Sequence, residues 1–323
     1  MRALTTKLLA VAILALGQMP ASAADTILMG TTGRGSAQQW PVFIAQQKGY
    51  FAEGGLTVDL IAAQSSSAIV QQLTAGSVNL ASGGLADPLR AIDKGAPVTL
   101  LRVETQIPPY SVYGKPGLKS LKDLKGKIIS IGGVKDITRI YLERMMAPNG
   151  LKPTDYDLVF AGTAAARFAA LASGAVDATI LVPPFSFKAE GAGFSSLGAL
   201  SDYVTDMPFT GYSANTAWAK AHKPALVTFL KGVARGVDYF NDPANRTEAI
   251  DILVKESGSE RGDIEKSYDY YLKIKIFDRV GLIEGSQVKV LAEAMKSLGD
   301  LEGSTDVSRF VDPEIVELAK QVK

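Results

Sequence analysis

Leu73-Thr-Ala-Gly-Ser-Val-Asn-Leu80 and Leu171-Ala-Ser-Gly-Ala-Val-Asp-Ala178 are one pattern, Leu-x-x-Gly-x-Val-Asn/Asp, written twice. The copies stand 98 positions apart (171 − 73 = 98). The same offset lays Asp59-Leu-Ile-Ala-Ala-Gln-Ser-Ser-Ser-Ala68 on Asp157-Leu-Val-Phe-Ala-Gly-Thr-Ala-Ala-Ala166 without a gap. Each copy reads as an apolar β-like run, a small hydroxyl-bearing loop, a short Ala/Leu helix, a glycine stop and a second apolar run. Glycine ends a helix because it accepts the left-handed conformation that other residues avoid. The pattern predicts two α/β lobes of similar design, with equivalent loops at equivalent places.

Bulk properties narrow the function. With 323 residues there is room for two domains, each burying its own core. A net charge of +1 with no basic block gives no reason to expect nucleic acid or a membrane surface as partner. The single histidine, His222, sits between Lys220 and Lys223 and reads as a solvated helix-start residue. Cysteine is absent, which excludes disulfides, thiolate metal sites and thiol nucleophiles. No metal and no cofactor is expected.

Residues 1–24 read as an export signal. Arg2 and Lys7 form the positive start, Leu8–Leu16 the apolar core, and Ala21-Ser-Ala23 the cleavage site. The core is too short to cross about 30 Å of hydrocarbon. Without a cysteine for lipid attachment, a soluble periplasmic protein starting at Ala24 or Asp25 is expected.

The remaining chain alternates strand and helix signals, which predicts largely parallel sheets covered by helices. Pro108, Pro109, Gly114 and Pro116 punctuate a segment leaving the first lobe, and Tyr212–Trp218 alternates like a strand returning to it. The division expected is residues 25–113 plus 210–323 for lobe 1 and 114–209 for lobe 2. From Pro224 onward the chain reads helical, as a layer on lobe 1 without counterpart in the repeat.

In a parallel α/β lobe, guests sit outside the carboxyl ends of the strands. Loops at those ends supply the candidate site: Thr32, Gly33 and Arg34; Ser65 and Ser66; Ser82, Gly83 and Gly84; then Gly133 and Arg139, Thr163, and Pro184 and Phe185 from the second lobe. Several open helices, whose free N–H groups and positive ends favour an anion or a polar group. Arg34 and Arg139 would add charge, while Trp40, Phe160 and Phe185 could cover an apolar portion. Gly30, Gly33 and Gly35 are spaced G-x-x-G-x-G, which is not the dinucleotide fingerprint. No carboxylate pair, metal cluster or nucleophile elbow stands out on these loops, so a binding site is expected.

The chain resembles periplasmic substrate-binding proteins of ABC transporters, in the nitrate/sulfonate/taurine-type branch related to thiamine-pyrimidine-precursor proteins. The resemblance is carried by Ala45-Gln-Gln-Lys-Gly-Tyr-Phe-Ala-Glu-Gly-Gly-Leu56, the repeated Leu-x-x-Gly-x-Val run, Lys94-Gly-Ala-Pro97 and Asp123-Leu-Lys-Gly-Lys127. It implies a type II periplasmic-binding-protein fold, two α/β lobes joined by a two-strand hinge and closing over one small ligand. It further implies a monomer that delivers its ligand to a membrane permease and its ATPase. A small organic anion, an aliphatic sulfonate or an aromatic or aliphatic carboxylate, is the expected guest; the alternatives are a nitrogenous heterocycle as guest, or an exported enzyme or sensor module on the same fold. Pyrimidine-synthesising enzymes of the same fold rely on a cysteine-rich stretch and histidines that this chain lacks, so an enzyme is not expected.

Overall fold

A computed structural model describes residues 25–33 and 37–322, so the expected export signal and Arg34 lie outside the described residues. In the first lobe the chain forms β1 (Asp25–Thr31), α1 (Trp40–Gln47), β2 (Leu56–Ala62), α2 (Ser66–Thr74), β3 (Leu80–Gly84), α3 (Ala86–Asp93) and β4 (Val98–Thr105). The second lobe follows with β5 (Ser111–Gly114), β6 (Ile128–Ile131), α4 (Ile137–Met146), β7 (Asp157–Phe160), α5 (Ala164–Ala172), β8 (Ala178–Leu181), α6 (Phe185–Gly191) and β9 (Ser195–Ala199). The chain then returns through β10 (Thr210–Asn215) to α7 (Thr216–Ala221), α8 (Lys223–Asn241), α9 (Arg246–Ser257), α10 (Arg261–Lys273), α11 (Gly285–Ser297) and α12 (Pro313–Lys320).

Each lobe holds one five-stranded sheet, ordered β2-β1-β3-β10-β4 and β7-β6-β8-β5-β9. The orders match position for position. In both, the first three strands are parallel, and the fourth runs antiparallel to its two neighbours. That fourth strand is the one next to a crossing: β5 on the way out, β10 on the way back. Ser111–Tyr113, assigned to lobe 1 from the sequence, therefore pair with β8 and β9 in the second sheet.

The 98-residue repeat is real in three dimensions. Ser65 caps α2 and Thr163 caps α5, each hydroxyl accepting from the N–H three residues on, at 3.2 and 3.3 Å. Gly76 and Gly174 end the two helices with φ of +75° and +78°. Leu73 and Val78, like Leu171 and Val176, are buried. Removing such apolar side chains from water stabilises each lobe by roughly 1.5–3 kcal/mol per residue.

The C-terminal helices do more than cover lobe 1. α8 and α9 pack on α1 as expected. α10 reaches the second lobe: the Tyr271 hydroxyl donates to the Pro183 carbonyl, and Lys188 pairs with Asp263 at 3.2 Å. One continuous core runs from Leu89 and Val103 through Tyr141 and Met145 to Val288 and Leu291. Having no partner in the repeat, these helices are free to fill the junction between lobes.

Candidate functional site

A cavity of about 310 Å³ lies between the lobes, at the carboxyl ends of the parallel strands. Three helix starts converge on it, through the capping residues Ser65 of α2, Asp136 of α4 and Thr163 of α5. First-turn N–H groups have no partner inside a helix. Ser66, Ala164 and Ala165 carry such groups on the cavity wall. Gln38, Gln64 and Thr210 add polar groups, and Ile137, Val182, Phe185 and Phe209 give apolar walls.

Among the described residues, two charged ones line it. Arg167 projects from α5 and is almost wholly buried. Its Nε donates to the Ile180 carbonyl at 2.9 Å and its Nη1 to the Gly162 carbonyl at 2.6 Å. The guanidinium lies 6.0 Å from the centre of the Tyr110 ring. Burial pushes the Tyr110 hydroxyl up to about 12; Arg167 opposes this and Asp136 adds to it. Asp136, half-buried, turns one carboxylate oxygen onto the Thr138 N–H at 2.9 Å and hydroxyl at 2.5 Å. Gly132 makes room for that carboxylate: a β-carbon there would lie 2.5 Å from it.

A second polar layer lies behind the cavity. Ser82 is fully buried, accepting from Gln39 Nε2 at 3.0 Å and donating to Glu104 at 3.4 Å. Glu104 also accepts from the Tyr212 hydroxyl. Burial raises the Glu104 carboxyl to about 7 against the pull of Tyr212, Arg102 and Ser82. Asp87 is raised to about 6, chiefly by burial, with Arg90 opposing and Asp136 adding.

Of the residues expected at the site, Thr32, Gly33, Ser65, Ser66, Gly84, Thr163 and Phe185 line the cavity. Others do not. Trp40 is fully buried against Tyr271 and Phe240, ring centres 5.4 and 6.1 Å away, because its α1 face points into the helical layer. Ser82 belongs to the layer behind, and Gly83 faces Ser66 rather than the guest. Gly133 and Pro184 are each one residue beyond the wall, which Gly132 and Pro183 form. Arg139 is drawn away by Glu143, 2.8 Å distant, and by the Val134 carbonyl. Phe160 is half exposed at the end of β7 and is not part of this cavity's wall.

Asp136, Arg167, Tyr110, Gln38, Gln64 and Phe209 complete the wall without having been singled out. Arg167 had a legible signal. At the 98-residue offset it falls on Ile69, a buried core position of α2. A charge at a core position of a repeat is expensive unless the site uses it.

The residue span 36–245 matches the family model described as NMT1/THI5 like. Among curated relatives, the chain is 30% identical over 143 residues to the 4-amino-5-hydroxymethyl-2-methylpyrimidine phosphate synthase THI13 of Saccharomyces cerevisiae, covering 43% of this chain and 41% of the relative. The chain thus spans less than half the length of that relative. The synthase of Schizosaccharomyces pombe is 29% identical over 250 residues, 72% of this chain and 71% of the relative. Among solved structures, the alkanesulfonate-binding protein SsuA of Xanthomonas axonopodis pv. citri, bound to MOPS, superposes with a TM-score of 0.75 at 18% identity, covering 90% and 99% of the two chains. The ligand-binding component of an ABC-type import system of Staphylococcus aureus gives 0.75 at 15% identity, covering 91% and 99%. The nitrate-binding protein NrtA of Synechocystis PCC 6803 gives 0.72 at 16%, covering 93% and 89%. At such identities the structural likeness shows the shared two-lobe fold. The expectation that the chain is not an enzyme is corrected by the synthases, enzymes by name and 24–30% identical to it. With the matched span covering well over half of its length, the chain belongs to the NMT1/THI5-like family.

Proposed function

We propose that the chain is the solute-binding receptor of an ABC importer, capturing one small organic molecule between its lobes and presenting it to a membrane permease. The observation that carries this reading is a cavity walled by both lobes at the helix starts, with a hydrogen bond tying the lobes together beside it. A ligand that touches both walls stabilises the closed state over the open one, and only such a difference can drive closure. The S. aureus neighbour, a ligand-binding component of an ABC-type import system, supports the role.

An organic acid would meet the N–H groups of α2 and α5 together with Arg167, and Phe185 and Phe209 would cover its apolar part. Export to the periplasm as a soluble monomer belongs to the same reading. Among the described residues no helix is long and apolar enough to cross a membrane. Calorimetric titration with alkanesulfonates, aromatic carboxylates and aminopyrimidines tests it. Saturable heat at one site per chain is expected from at least one class; a folded protein that gives none from all three overturns it.

The curated relatives favour a second reading, a synthase acting on a pyrimidine precursor in the same cavity. Mass analysis of the bound compound before and after incubation separates the two. An unchanged mass favours the receptor and a new product the synthase.

A further inference from the structure

Of the three helix starts around the cavity, one differs in charge. Ser65 and Thr163 are neutral caps, whereas Asp136 places a carboxylate at the positive end of α4. Its Oδ1 is engaged by Thr138, and among the described residues no hydrogen bond or ion pair reaches its Oδ2. The carboxylate lies over Gly132, on the cavity wall. Arg167 likewise takes part in no ion pair among the described residues and keeps its charge for the cavity. The wall therefore has a donor side, formed by α2, α5 and Arg167, and an acceptor side formed by Asp136.

We infer that Asp136 is a specificity-determining residue whose free carboxylate oxygen receives a protonated or N–H-bearing nitrogen of the ligand. On this basis the cavity selects compounds that carry such a nitrogen beside an acidic group, and it disfavours plain anions. The inference rests on the receptor reading. Filling the cavity strips water from Oδ2. A guest without a donor there leaves a charged oxygen desolvated and unpaired, and a plain anion adds repulsion. Sites built to hydrogen-bond one group discriminate strongly against analogues that lack it.

The test compares 4-(aminomethyl)benzoate, which carries both groups, with 4-methylbenzoate, which lacks the nitrogen, by calorimetry on the wild type and Asp136→Asn. Asparagine is as good a helix cap as aspartate, so the variant retains the start of α4, and its melting temperature checks this. The wild type is expected to bind the aminomethyl compound roughly thirtyfold more tightly. In Asp136→Asn that preference should vanish, with affinity for 4-methylbenzoate rising, a gain that a purely structural role for Asp136 does not produce. Equal affinities in the wild type, or a preference unmoved by the substitution, overturn the assignment. Should neither probe bind the wild type, the assignment fails for this ligand class. The receptor reading then falls only if the sulfonates and aminopyrimidines are silent too.

Discussion

The Tyr271 hydroxyl on α10 donates to the Pro183 carbonyl, 3.0 Å away in the second lobe, and both groups are buried. A second tie lies beyond the cavity, where Arg90 of α3 donates to the Lys135 carbonyl at 2.6 Å. Lys135 immediately precedes Asp136, so this contact fixes the loop that carries the carboxylate. Both ties join an element of one lobe to the other. Tyr271→Phe removes one of them while keeping the ring packed against Trp40. Losing about 1 kcal/mol from the closed state alone shifts the population toward open and weakens ligand binding by at most about fivefold. Small-angle scattering on the ligand-free variant should show a larger radius of gyration; a radius equal to the wild type's argues against a tie.

Arg90 has a second duty, since it pairs with Asp87 at 2.7 Å and with Asp300 at 3.4 Å, both nearly buried. Arg90→Met leaves the Asp87 carboxylate without its cation, at a cost of about 3 kcal/mol near neutral pH. The folded-state pKa of Asp87 is already raised to about 6, and losing Arg90 raises it further. Protonation then relieves the unpaired charge. The drop in melting temperature caused by Arg90→Met should therefore be larger at pH 7.5 than at pH 5. A drop independent of pH would assign the loss to packing.

Glu104 sets a pH dependence of its own. Its folded-state pKa of about 7 stands above the ordinary 4.5. Between those values the folded chain holds a proton that the unfolded chain has released, so stability falls as pH rises through the window. The group alone costs roughly 3 kcal/mol above pH 7 relative to pH 4.5. Glu104→Gln, which keeps an acceptor for the Tyr212 hydroxyl, should flatten the fall in melting temperature between pH 5 and 8. An unchanged slope would locate the titration elsewhere.

Close helix packing gives a sharper stability test. At Gly236 in α8, an added β-carbon would lie 2.2 Å from the Pro41 carbonyl oxygen of α1. Backbone cannot yield as a flexible side chain can, so α1 and α8 must separate. Gly236→Ala is expected to destabilise by about 1–3 kcal/mol despite the better helix propensity of alanine. Denaturant unfolding reads this directly, and a stabilised variant would contradict the close approach.

The fold was legible because repetition marks scaffold. Leu73, Gly76 and Val78 recur as Leu171, Gly174 and Val176, and each pair performs the same task in both lobes. Charged site residues were harder to place. Arg139 and Arg167 both follow a capped helix start, at three and four residues past the cap. On a helix that single step turns a side chain by about 100°. Glu143, one turn on, captures Arg139, while Arg167 finds two carbonyls facing inward. Trp40 was misplaced for a related reason: an aromatic at a helix start fits a cleft or a core, and only α8, α9 and α10 decide between them.

Arg167 separates the two kinds of role in a single substitution. Its counterpart in the repeat, Ile69, shows that isoleucine packs at this helix position between sheet and helix. Arg167→Ile deletes a buried cation and two hydrogen bonds, each worth about 1 kcal/mol net, and adds apolar burial of similar size. Stability should therefore change by no more than about 1–2 kcal/mol. Binding should not survive so well, because an acidic group in the cavity loses its only buried cationic partner among the described residues lining it. A melting temperature within a few degrees of the wild type, together with at least tenfold weaker binding of any acidic ligand, is expected from thermal unfolding and calorimetry. If binding is unaffected, Arg167 is a scaffold residue that fastens α5 to β8.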